Sequence, residues 1–311
     1  MPLSLKTPEK VRSLPGQTFV SDDGPWAKPT GIYIPPNAHL GRGVVNVLLW
    51  LHGWYVTSIE QLLDSDRAQV REQVLNSDKN VILVAPWLGH GHGSGTFHVG
   101  MLKGGWGESY LHQVLGVLAL DLGAGPGLRL GKLAIGCHSA GGAAMRNLVG
   151  SLGPYRWNLR ECCGFDCLYG GDDATFWYNW VTGGDGRPLY VSYGPSTVPQ
   201  SVKLYLMGEG LATDKGARRN PEGPDISDRL HVTLGLPNAP FIDDLLGLDK
   251  LLMATTPTPR HPHPSSSNFV EQAAGNLTKK TGWPPSNQLM ALHYRIASDG
   301  LLERLKAASF L

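Results

Sequence analysis

Residues 133–142 read Leu-Ala-Ile-Gly-Cys-His-Ser-Ala-Gly-Gly, and this stretch decides the fold. Residues 133–137 form an apolar run of the kind that makes a buried strand. A helical pattern takes over across residues 140–152, so the chain must turn sharply at Ser139. A turn that tight brings the backbone close to its surroundings two positions either side of the serine, and only small residues fit there. Gly141 fills one position. Cys137 fills the other, where glycine is the usual occupant; cysteine is small enough to be a tolerated departure. The turn sets the Ser139 hydroxyl at a helix N-terminus, where amide groups and the helix dipole favour an anion. One reading is a serine that caps a helix. The sharper reading is a nucleophile.

Working outward, the same rhythm recurs. Residues 44–51 (VVNVLLWL) are continuously apolar, as in a strand buried on both faces. Residues 81–86 (VILVAP) form a second such run, and strands are also expected over 31–35, 163–169, 188–193 and 202–207. Helical spacing covers 57–75, 108–122, 140–152 and 174–181. This alternation predicts an α/β protein with a mostly parallel central sheet flanked by helices. Ligands in such sheets bind at the carboxyl ends of the strands. Residues 208–285, rich in Pro, Gly and Asn, are expected to be an irregular insertion or lid with some helix, for example over 241–253. A final helix is expected over 292–311, and residues 1–311 are read as a single domain.

A chain of 311 residues, 41% of them hydrophobic, can bury a sizeable core. A net charge of +1 gives no electrostatic footprint for nucleic acid or an anionic membrane. No apolar run reaches the roughly 18 residues that a transmembrane helix needs. The first residues lack the apolar core of a signal peptide, which points to the cytoplasm, or to secretion if a leader has been removed. Cys137, Cys162, Cys163 and Cys167 match no zinc spacing, and neighbours on one strand rarely have disulfide geometry. They are expected to be buried thiols in a reducing compartment. His90, His92 and His98 lie in a Gly-rich run, and His261 and His263 in a Pro-rich one. Neither set has accompanying carboxylates or cysteines, so loops are expected and no metal or other cofactor. Oligomeric state is not legible.

A second signal supports the nucleophile. His52-Gly53-Trp54 ends the strand expected beside the one that leads into Ser139. A serine nucleophile needs two N–H donors aimed at the developing oxyanion. The amides of Ala140 and Trp54 would supply them, with Gly53 letting the loop bend. His52, Gly53 and His138 border the place where substrate would sit, although the His138 side chain should point away from it.

With these segments the chain resembles the α/β-hydrolase superfamily. The resemblance covers about residues 31–193 and the last part of the chain, and rests on VNVLLWLHGW, NVILVAPWLG, LAIGCHSAGG and a late histidine. It is nearest to bacterial α/β-hydrolase-like proteins with a Gly-Gly-aromatic element, here Gly104-Gly105-Trp106. They also carry an Asp-x-Leu-Tyr-Gly strand end, here Asp166 to Gly170. The resemblance implies a base late in the chain, and His293 fits best, with His231 as rival. It implies an acid after the strand following the nucleophile helix, or after the next strand. Asp166 is the first choice, because a carboxylate in an apolar strand is costly unless paired. Asp172, Asp173 and Glu209 are alternatives. The expected function is a serine hydrolase cleaving a small-molecule or polymer ester. An amidase or peptidase with the same triad, and a non-catalytic binding protein, are the alternatives.

Overall fold

The computed structural model describes residues 5–8, 11–21, 29–38, 43–64, 68–89, 106–121, 125, 127–183, 187–194, 197–209, 226, 228–234 and 286–308. Two compact units emerge: Met1–Cys163 with Ala297–Leu311, and Gly164–Ile296.

The first unit holds β1 (Leu5–Lys6), β2 (Gln17–Ser21), β3 (Thr30–Ile34), β4 (Val44–Leu51), α1 (Ile59–Leu63), α2 (Val70–Asn76), β5 (Ile82–Pro86), α3 (Trp106–Asp121), β6 (Arg129–His138) and α4 (Gly141–Val149). It also holds most of β7 (Leu159–Phe165). The strand order is β1-β2-β3-β5-β4-β6-β7. Strands β1, β2, β3 and β5 pair antiparallel in turn, whereas β4 runs parallel to both β5 and β6. Val47, Leu48, Leu49 and Leu51 are completely buried, which explains why β4 is apolar without alternation. Helix α4 packs on β6 and β4, and α1 on β3 and β5. An antiparallel start followed by β5 and β4 in exchanged order, with a strand-turn-helix after β6, is the α/β-hydrolase fold. The expected mostly parallel central sheet flanked by helices is therefore borne out.

The second unit begins at the end of β7 and contains α5 (Asp173–Thr182), β8 (Leu189–Tyr193), α6 (Val198–Gly208), β9 (Leu230–Leu234) and the first part of α7 (Ser286–Ala307). Strands β8 and β9 pair parallel, and α6 packs on both and on α5.

Several elements differ from expectation. The single helix over 57–75 is two short ones. Ser58 caps α1 by accepting from the Gln61 amide at 3.1 Å, but Gln69 has φ 50°, a left-handed conformation that no helix continues through. The strand expected over 202–207 is helix α6, with Pro199 in its first turn. A short apolar run suits either element, and the proline was the helix-start signal. Glu209 therefore caps a helix C-terminus, its amide donating to the Tyr205 carbonyl at 3.0 Å, and does not follow a strand. Strand β7 starts and stops earlier than residues 163–169, so Asp166 lies just past the strand end. Strand β9 falls within the stretch expected to be irregular. The helix expected over 241–253 lies outside the described residues.

Candidate active site

Ser139 sits between β6 and α4 with φ 55°. A non-glycine residue in the left-handed region is strained, and such strain concentrates where geometry serves a function. The surroundings allow no relief. A Cβ on Gly141 would lie 2.2 Å from the Leu51 carbonyl oxygen, so this position has to be glycine. A Cβ on Gly53 would lie 2.7 Å from the Ser139 Cβ, so the loop after β4 approaches the serine as closely as a backbone can. Cys137 is fully buried in β6, and none of the four cysteines forms a disulfide.

His52 governs the direction of that loop. It is 2% exposed, and the Leu88 amide donates to its Nε2 at 2.8 Å. Nε2 is thus an acceptor, and the neutral ring carries its proton on Nδ1, which lies 2.7 Å from the Gly53 carbonyl and donates to it. Burial pushes the imidazole down from 6.5 to about 4, and the bond to Gly53 only partly opposes this. A trans peptide holds C=O and N–H on opposite sides. With the Gly53 carbonyl tied to His52, the Trp54 N–H points away from that ring. Among the described residues neither the Trp54 nor the Ala140 amide is hydrogen-bonded. Both nitrogens of the His52 ring, expected to border the substrate, are thus engaged by backbone groups. His138 is likewise buried, at the end of β6.

The second unit contains an ion-pair cluster. Asp166 has φ 45° and is completely buried. Its amide donates to the Ser192 carbonyl at 2.7 Å, which ties the turn after β7 to β8. Its Oδ2 lies 2.6 Å from Nδ1 of His293, which is 6% exposed. Its Oδ1 accepts from the Gly194 amide at 3.1 Å and from the Thr197 hydroxyl at 2.5 Å. Burial works to raise the Asp166 pKa. The bond and charge of His293, then Thr197 and Gly194, outweigh burial and hold the carboxyl below its usual range. Asp166 is therefore an anion, and its Oδ2 accepts a hydrogen bond from the Nδ1–H of His293.

His293 lies within α7, which begins earlier than the expected helix over 292–311. Asp173 accepts from the Gly170 amide at 2.6 Å and opens α5, and Asp172 is that helix's N-cap residue. His231 stacks on Tyr190 with ring centroids 4.5 Å apart, in β9 beside β8. Thr197 and Leu88 were not singled out in the sequence; a threonine before a helix and an apolar residue after a strand carry no distinguishing pattern. Among the described residues no group of three His, Cys, Asp or Glu side chains is placed to hold a metal ion. His90, His92, His98, His261 and His263 lie outside the described residues. No described helix is long and apolar enough to cross a membrane.

No family model and no curated protein matches the sequence. Among solved structures the chain is similar to an arylesterase at 17% identity and a TM-score of 0.32; 51% of this chain and 50% of that one are covered, so this chain spans half its length. It is similar to an acetyl xylan esterase from Aspergillus awamori at 12% identity and a TM-score of 0.40, over 66% of this chain and 78% of that one. A ferulic acid esterase is similar at 11% identity and a TM-score of 0.39, over 67% of this chain and 84% of that one.

Proposed function

We propose that the protein is a serine hydrolase that cleaves carboxylic esters through an acyl-enzyme, with Ser139 as nucleophile, His293 as base and Asp166 as the acid that orients it. The observation that carries the reading is the buried Asp166–His293 pair, 2.6 Å apart. A carboxylate that fixes Nδ1–H selects the tautomer whose Nε2 accepts a hydroxyl proton, and stabilises the imidazolium that results. The left-handed turn at Ser139 is the second support.

In the proposed reaction Ser139 Oγ attacks the ester carbonyl carbon while its proton passes to His293 Nε2. The oxyanion accepts hydrogen bonds from the Trp54 and Ala140 amides. Its collapse breaks the C–O bond, and the leaving alkoxide takes the proton back from His293. Water then repeats the sequence, attacking the acyl carbonyl and giving its proton to His293. The acid is released and Ser139 regenerated.

Hydrolysis of p-nitrophenyl acetate by wild type, Ser139→Ala and His293→Ala tests this. Each variant is expected to lose about 10⁴-fold or more in kcat while remaining folded. Wild-type turnover by either variant would overturn the proposal. Comparing the matching p-nitroanilide separates esterase from amidase, the ester being turned over faster on this reading.

A further inference from the structure

We infer that Thr197 is a positioning residue for the reaction, holding the Asp166 carboxylate in the one orientation that presents Oδ2 to His293. The inference rests on the proposed role of the Asp166–His293 pair and adds a residue to it.

A carboxylate that meets its imidazole through one oxygen can still swing about its Cβ–Cγ bond. Here the other oxygen is held by two donors of different origin, the Gly194 amide at 3.1 Å and the Thr197 hydroxyl at 2.5 Å. Gly194 also sets the fit from the backbone side: a Cβ there would lie 2.9 Å from Asp166 Oδ2 and 2.6 Å from the Ile296 side chain. The Thr197 amide donates to the Gly194 carbonyl at 3.2 Å, so the residues that supply the two donors are also tied to each other, one just after β8 and one just before α6.

The position of Thr197 is informative. It is the N-cap residue of α6, where a threonine hydroxyl ordinarily accepts from an amide of the first helical turn. It makes no such bond. Pro199 removes one amide that it could have accepted from. The hydroxyl is instead a donor to Asp166, and the residue is 1% exposed, so water does not compete for it. A helix start has thus given up a side-chain cap in favour of a bond to a buried anion. Bonds to a charged acceptor are the stronger kind.

The experiment compares Thr197→Val, which keeps the shape and removes the donor, with Thr197→Ser, which keeps the donor. With p-nitrophenyl acetate, Thr197→Val is expected to lower kcat about ten- to a hundredfold, the range set by losing one hydrogen bond to a charged group. KM should stay near wild type and Thr197→Ser should restore most of kcat. In an Asp166→Asn background, Thr197→Val should have no further effect on the rate of fluorophosphonate labelling. A structural role alone predicts a fall in stability with no kcat-specific loss and the same cost in both backgrounds; either result overturns the inference. If His293→Ala is inactive while Thr197→Val turns over normally, only this inference fails. If His293→Ala keeps full activity, the reading beneath it fails as well.

Discussion

His52 shows how a single side chain can serve the proposed chemistry by fixing the backbone around the nucleophile. Both ring nitrogens are bound, one by the Leu88 amide and one to the Gly53 carbonyl, and the ring is neutral because burial holds its pKa at about 4. Stability should therefore depend on pH with a definite sign. An unfolded histidine titrates near its ordinary value, so from about pH 6.5 down to about 4 the unfolded chain binds a proton that the folded chain refuses. The stabilisation is complete above that window and is lost through it on acidification, to the extent of about 3 kcal/mol. Urea unfolding at pH 7 and pH 4.5 measures it. In His52→Phe this part of the slope should vanish, although the variant is less stable at both pH values because the Leu88 amide loses its acceptor. An unchanged slope would contradict the account. In the sequence, His52 was legible as part of a strand-ending His-Gly pair. Its role was not, because the Leu88 amide that fixes its tautomer comes from a distant segment. Asp166 and His293 illustrate the same limit: each could be named, but they are 127 positions apart and only coordinates pair them.

At the scale of elements, the late part of α7 is anchored by an ion pair in the first unit. Glu161 in β7 is 1% exposed and takes a forked contact from Arg304, with Nε 3.0 Å from both carboxylate oxygens and a terminal nitrogen 2.5 Å from Oε2. Burial raises the Glu161 pKa and Arg304 opposes it. The Lys79 ammonium adds a bond to the Ala308 carbonyl at 2.7 Å, just past the helix end. Removing one partner strands a buried charge, so Arg304→Met should lower stability by about 3 kcal/mol in urea unfolding. Glu161→Leu with Arg304→Met should recover most of that loss, because the desolvation cost leaves with the charge. If the double variant is as unstable as the single one, the pair is not what fixes the helix. The apolar face of α7 was legible, but this pair was not, since one charged residue in a strand has many equally spaced partners. Elsewhere the legible elements were those buried on both faces: β4 has the expected bounds and β5 is one residue shorter. Residues 202–207 misled because the alternating Val202, Leu204 and Leu206, all fully buried, look like one face of a strand. Their helix is declared by Pro199 ahead of them, and not by the run itself. Residues 57–75 misled because apolar spacing runs on across the break between α1 and α2, where Gln69 takes a left-handed backbone just before α2.

For the whole molecule, the parallel pairing of β4 with β5 and β6 follows from a rhythm visible in the sequence: apolar strands too uniform to lie on a surface, separated by helical segments that cross over. The alternation did not specify the antiparallel start of the sheet, which depends on pairing among short strands that carry little pattern of their own. The strand-turn-helix at Ser139 was the most legible feature because sterics, and not packing choice, dictate its small residues. The central claim is that Ser139 is a nucleophile activated by His293. A fluorophosphonate probe measures this directly, with the adduct located by peptide mass mapping. The account predicts a single adduct on Ser139, absent in Ser139→Ala and formed at least about a hundredfold more slowly in His293→Ala. An unmodified Ser139, or a labelling rate indifferent to the loss of His293, would contradict it.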